Sequence, residues 1–128
     1  MASIEVKVAN EKDLTVFSVE GSITADEILG SKTKYYYIKE PTRHVIWDFS
    51  NGTAEKISSH EFQVLAHQMK PLSIMRRGGK TAIVAKKDID FGLGRMYTAY
   101  ATVEKLPINY RVFRDIEDAT YWIYQKEN

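Results

Sequence analysis

Val45-Ile46-Trp47-Asp48-Phe49-Ser50, closing on Asn51-Gly52, is the stretch on which the fold turns. Val45, Ile46, Trp47 and Phe49 form a short apolar run rich in β-branched and aromatic residues. It is too brief for a buried helix and ends in turn residues, so it reads as a strand covered on both faces. On either side of it lies a helix start. Thr24-Ala25-Asp26-Glu27 and Ser58-Ser59-His60-Glu61 both have the spacing of a capping box. In that motif the hydroxyl accepts a bond from a free amide while the acid three residues on reaches back to the cap.

Behind Thr24, the residues Ala25, Ile28, Leu29 and Tyr36 fall on one helical face, and Pro41 stops the helix. Behind Ser58, Phe62, Leu65, Ala66 and Met69 do the same, with Pro71 expected to end or kink that helix. Further out, Ile4, Val6 and Val8 alternate with Glu5 and Lys7, which predicts a half-buried strand. Turn-like Asn10 to Asp13 joins it to a second strand over Leu14–Val19, so the two form an antiparallel hairpin. Toward the other end, Gly78-Gly79 precedes a buried strand over Thr81–Ala85, and Asp88 to Gly94 reads as a loop or helix start. Tyr97, Tyr100, Ala101 and Val103 run as a helix, and Tyr110, Val112 and Phe113 form a last strand. Ile116, Ala119, Trp122 and Ile123 then share one side of a final helix.

The order is β-β-α-β-α-β-α-β-α. Strands alternating with helices predict an α/β domain with a mixed, mainly parallel central sheet flanked by helices. The 128 residues fit one domain, spanning 1–128. The 44% hydrophobic and 27% charged residues suit a packed globule rather than a disordered chain. No cysteine is present, which excludes disulfides, thiolate metal sites and thiol catalysis. The first residues carry no apolar signal core, and no apolar run is long enough to span a bilayer. A cytoplasmic protein without a membrane span is expected.

A net charge of +1 gives no general attraction to nucleic acid. The charge is uneven, however: residues 1–30 hold six acids and two bases, and residues 75–95 hold six bases and two acids. The basic stretch reads first as a solvated face. Its Met75-Arg76-Arg77-Gly78-Gly79-Lys80-Thr81 ends like a phosphate-binding loop, but Ile74 stands where that motif needs glycine. Arg76, Arg77 and Lys80 are left solvated or facing an acidic partner.

The element order, together with Asp48-Phe49-Ser50 at the end of the central strand and Ser58-Ser59 at the next helix start, resembles the STAS family, which includes the SpoIIAA-like anti-sigma-factor antagonists. In that family the helix start carries a regulatory Asp-Ser-Ser-Gly-like motif. Here Ile57 replaces the acid and His60 the glycine. Lys80 to Ala85 and Phe91 to Tyr97 resemble a divergent bacterial SpoIIAA-like branch, loosely akin to lipid-binding domains of the Sec14 type. The resemblance implies a non-catalytic protein-interaction or regulatory module, with Ser58 and Ser59 as candidate phosphosites. The local reading of Ser58 is a helix cap with Glu61 as partner.

Asp90-Phe91-Gly92-Leu93-Gly94-Arg95 lies where ligands of open α/β sheets bind, past the carboxyl end of a strand. Amides after Gly92 and Gly94, with Arg95, Lys86 and Lys87 nearby, define a candidate anion or ligand site together with Asp48, Ser50, Asn51 and Asp90. The competing reading has the glycines permitting close helix packing. Tyr97 and Tyr100, like Tyr121 and Tyr124, are pairs three apart that can share a helix face. In Tyr35-Tyr36-Tyr37 at least one ring must face outward, which marks a homodimer or partner surface. His60 and His67 stand seven apart with no third ligand in view, so no metal site and no cofactor is expected. No nucleophile elbow or triad is recognisable.

Two functions follow. The first is a module docking a protein through the Ser50 to Glu61 segment and the helix from Gly92. The second is a carrier or sensor of a small amphipathic or anionic ligand, with an apolar cavity near Tyr97 and Tyr100 and Lys86, Lys87 or Arg95 at its mouth.

Overall fold

The structure is a computed structural model describing residues 2–38 and 40–125, with the side chains of residues 36–38 outside that description. The rings of Tyr36 and Tyr37, expected to mark a partner surface, therefore lie outside the described residues. The elements follow in the expected order: β1 (Ser3–Ala9), β2 (Leu14–Ser22), α1 (Ala25–Ile38), β3 (His44–Thr53), α2 (Ser59–Ser73), β4 (Lys80–Val84), α3 (Asp88–Val103), β5 (Asn109–Phe113) and α4 (Ile116–Ile123). Short 3-10 turns at Asn10–Lys12 and Ile74–Arg76 are additional.

The five strands form one sheet in the spatial order β1-β2-β3-β4-β5. β1 pairs antiparallel with β2 as a hairpin, and every later pair is parallel. Asp13 turns the hairpin in the left-handed region, at φ 53°, a conformation aspartate tolerates better than most side chains. Its carboxylate accepts the Arg43 amide at 2.8 Å, and its carbonyl accepts the His44 amide at 3.0 Å, which ties the hairpin to the start of β3.

Because each new strand is added on the same side of the last, crossovers of one hand put α1, α2 and α3 on the same face of the sheet. The packing agrees. Phe17, Val19, Val45, Trp47, Phe49 and Ile83 of the sheet join Ile28 and Tyr35 of α1, Phe62, Leu65 and Met69 of α2, and Ala101 of α3 in one core. Phe17 and Trp47 stack at 4.4 Å between ring centroids, on adjacent strands. Among the described residues, α4 alone covers the other face. Ala119 and Ile123 close over Leu14, Ile46, Ala82, Val84 and Phe113, leaving the β1–β2 side of that face open.

Both capping boxes form as expected. The Glu27 amide donates to Thr24 Oγ1 and the Thr24 amide to Glu27 Oε1, at 3.2 and 3.0 Å. Ser58 and Glu61 exchange the same two bonds at 3.1 and 3.0 Å. Two expectations need correction. Pro71 neither ends nor marks the end of α2, which runs two residues beyond it to Ser73; a proline near the last turn removes only one amide from the ladder. Of the two readings of Asp88 to Gly94, loop or helix start, the second holds, because α3 begins at Asp88. The basic stretch is not simply solvated, because Arg76 and Lys80 are only 3% and 6% exposed.

Candidate functional site

α2 and α3 pack side by side, and the two candidate phosphosites stand at this seam. The Ser58 hydroxyl accepts the Glu61 amide and is committed to capping α2. Ser59, also exposed, is different: its Oγ lies 2.6 Å from the Tyr100 hydroxyl on α3. Lower on the same seam, His67 Nδ1 meets Glu104 Oε1 at 3.0 Å. The Ser58 backbone amide and hydroxyl hold the Glu61 carboxyl below its ordinary range. The helix start and the following helix, expected to form a docking surface, are thus one continuous exterior.

Asp48, Ser50 and Asn51 lie at a bulge in β3. Ser18 pairs with Asp48, but Glu20 pairs with Asn51, so β3 carries one extra residue there. Asp48 Oδ1 accepts both the amide and the hydroxyl of Ser50, at 2.9 and 2.6 Å. The Asp-x-Ser sequence thereby satisfies the polar groups that a bulge leaves out of the ladder. Asp48 and Asn51 then line the open sheet face with Ser3, Glu5, Ser18 and Glu20. Asp90 does not join them. Its Oδ1 accepts from Thr53 Oγ1 and the Ala54 amide, both at 2.9 Å, while Asp88 pairs with Arg114. The expected site residues therefore divide between separate places.

Lys86, Lys87 and Arg95 are exposed, as is Gly92. The amides after Gly92 and Gly94 belong to the helical ladder of α3, which removes them as anion donors. Gly94 instead permits close approach: a Cβ there would lie 3.2 to 3.3 Å from side-chain atoms of Val112 and Ile83. At Gly92 a Cβ would meet nothing within 4 Å.

A cavity of about 70 Å³ lies between the sheet and the three helices of the covered face. Trp47, Phe49, Phe62, Leu65, Ile83 and Tyr97 give it apolar walls. Tyr97 is the lining residue that the sequence anticipates; Tyr100, Lys86, Lys87 and Arg95 do not line it. Its charged groups are ones that sequence patterns pass over or assign elsewhere, namely Lys32, Arg76 and Asp90. Arg76 is a buried clamp, donating to the carbonyls of Thr42, Arg43 and Lys80 and to Thr81 Oγ1 at 2.9 to 3.2 Å. Lys32 is 6% exposed, with Nζ 5.7 Å from the Phe17 ring centroid. Burial, and then the Arg76 guanidinium, hold its amine well below the usual lysine range. Asp90 is 3% exposed, and its Oδ2 has no hydrogen-bond partner among the described residues.

A spacing signal for Lys32 is present in the sequence, since Ile28, Lys32 and Tyr35 recur at helical intervals. Arg76 has none, because its burial depends on a 3-10 turn. Among the described residues there is no cluster able to hold a metal, and no helix is long and apolar enough to cross a membrane.

No protein-family model and no curated protein matches the chain. Solved structures do. The chain is similar to an uncharacterized protein from the DUF3478 family with a SpoIIAA-like fold from Shewanella loihica PV-4, at 18% identity and a TM-score of 0.55, over 95% of this chain and 93% of that one. It is also similar to an anti-sigma factor antagonist from Mycobacterium paratuberculosis, at 16% identity and a TM-score of 0.59, over 98% and 96% of the two chains. Identities this low speak for architecture alone, and with the strand order found here they establish that the chain has the SpoIIAA-like fold.

Proposed function

We propose that this chain is a non-catalytic regulatory module that docks a protein partner across the α2–α3 seam. The observation that carries the reading is the exposed Ser59–Tyr100 bond of 2.6 Å, which joins the helix start after β3 to the next helix in one surface. The likeness to an anti-sigma factor antagonist, a protein that acts through another protein, supports it. A phosphate on Ser59 would remove its hydroxyl as a donor to Tyr100 and place about two negative charges on that surface, so Ser59 is the better-placed switch of the two serines. Photo-crosslinking residues introduced at Ser59 and at Arg95, with Glu117 on α4 as the control, test this in the protein's own cells. One discrete adduct shared by the first two positions and absent from Glu117 is expected. Equal adducts from all three, or none from any, would overturn the reading.

A second reading rests on the cavity. A buried carboxylate oxygen without a partner is costly unless something donates to it, and Asp90 Oδ2 is such an atom. The fitting ligand is small and amphipathic, with a hydrogen-bond-donating head at Asp90 and an apolar body between Trp47, Phe62 and Tyr97. Lys86, Lys87 and Arg95 are not among the residues lining the cavity, which argues against the anionic version of this reading. Native mass spectrometry of gently purified protein should show a retained small mass that Asp90→Leu loses. Ligand-free protein, with no thermal shift from added small amphiphiles, would sink it.

A further inference from the structure

The sheet has two edges, and they are built differently. β1 has an unbroken register with β2 over all seven residues, with no bulge and no proline. Its outer backbone groups face no strand among the described residues. Such an edge is a template for pairing unless something blocks it. Blocking by charge depends on which charges meet.

Ile4-Glu5-Val6-Lys7-Val8 is symmetric in character about Val6. If a second copy of the strand runs antiparallel with Val6 opposite Val6, Ile4 meets Val8 and Glu5 meets Lys7, twice each by the two-fold axis. Apolar side chains then share one face and opposite charges the other. Centring on Glu5 or on Lys7 instead sets like charges against each other. A one-residue slip puts charges on the apolar face. Only the Val6 register satisfies both faces. The same exercise on β5, centred on Arg111, opposes two arginines.

The side chains are already arranged for that register. Glu5 and Lys7 lie 3.6 Å apart on the open sheet face, 68% and 73% exposed. Val6 is 40% exposed, while its neighbours Ile4 and Val8 pack against the large core. We propose that β1 is a self-complementary edge through which two copies of this chain pair antiparallel about Val6, forming one continuous ten-stranded sheet. This goes beyond the docking surface on α2 and α3 and uses none of its residues.

Sedimentation velocity on the full chain tests the pairing. Wild type should move with rising concentration from 14.7 kDa toward twice that mass. Lys7→Glu and Glu5→Lys each place like charges in both cross-strand pairs and should weaken self-association by about tenfold or more. Mixing the two variants should restore a heterodimer, because one strand is then wholly acidic and the other basic. Both sites are exposed, so thermal melts near wild type are expected and separate lost pairing from lost folding. A wild type that stays monomeric at millimolar concentration overturns the proposal. So does a dimer indifferent to both charge reversals, or a pair of variants that do not recombine.

Discussion

Phe17 and Ser18 are neighbours on β2, yet they face two different environments. Phe17 points into the face roofed by three helices and is fully buried, stacked on Trp47. Ser18 points to the other face, beyond the part of β2 that α4 reaches at Leu14, and it sits between Glu5 and Asp48 on the two neighbouring strands. The difference comes from connectivity. Three successive crossovers of one hand must roof the same side, and among the described residues the other face is covered by the eight-residue helix α4. The covered face is where stability resides and where a cavity with buried charge has to be tolerated. The open face is free to be polar.

Three measurements put that contrast to the test. The largest effect is expected from Phe17→Ala, which should lower unfolding free energy by about 3 to 5 kcal/mol through lost burial and a residual cavity. Ser18→Ala, one residue away, should change it by no more than about 0.5 kcal/mol. Urea unfolding of both variants gives the comparison directly, and similar losses would mean that the open face is covered in solution.

Lys32→Met should come next, with its stability relative to wild type higher near neutral pH than near pH 10.5. The sign follows from linkage. Lys32 has a folded pKa below its ordinary 10.5, so the unfolded chain binds the proton first as pH falls. Stability attributable to the neutral amine is therefore full above pH 10.5 and is lost as pH falls from there through the lower folded pKa. The advantage of the Lys32→Met variant over wild type should accordingly shrink as pH approaches 10.5, and a gain independent of pH would assign the effect to packing instead. His44, also a base held low by burial and then by Arg43, adds a loss of the same sign below its ordinary 6.5.

The smallest contrast lies within α3. Gly92→Ala faces open space and should stabilise the helix by about 0.5 to 1 kcal/mol. Gly94→Ala gains the same helix propensity but crowds Val112 and Ile83, so it should be at least about 1 kcal/mol less stable than Gly92→Ala. Thermal melts resolve this, and equal values would show that α3 can lift from the sheet without cost.

These residues also mark how far the sequence can be read. Period-two and period-3.6 patterns are local properties, so the element order and both capping boxes are legible down to the individual hydrogen bond. Gly92 and Gly94 leave loop and helix start both open, because glycine signals a loop by propensity, while helix packing against β4 and β5 is a tertiary demand that decides for the helix. Asp90 reads as a member of a strand-end cluster with Asp48, but Asp48 is engaged by Ser50 at the β3 bulge and Asp90 by Thr53 and Ala54 at the end of that strand. Arg76 lies in a run of bases that composition assigns to solvent. Its burial is decided by carbonyls of residues 42, 43 and 80, more than thirty positions away in two cases.

The strand order has one more consequence, concerning time rather than shape. Since every strand lies beside its predecessor in the chain, no strand has to be inserted between two that are already paired. As the polypeptide leaves the ribosome, the hairpin can close first, and each following helix and strand can dock on a finished edge. Growth then proceeds in one direction, toward α4, which can pack on the second face only when β3, β4 and β5 are all in place.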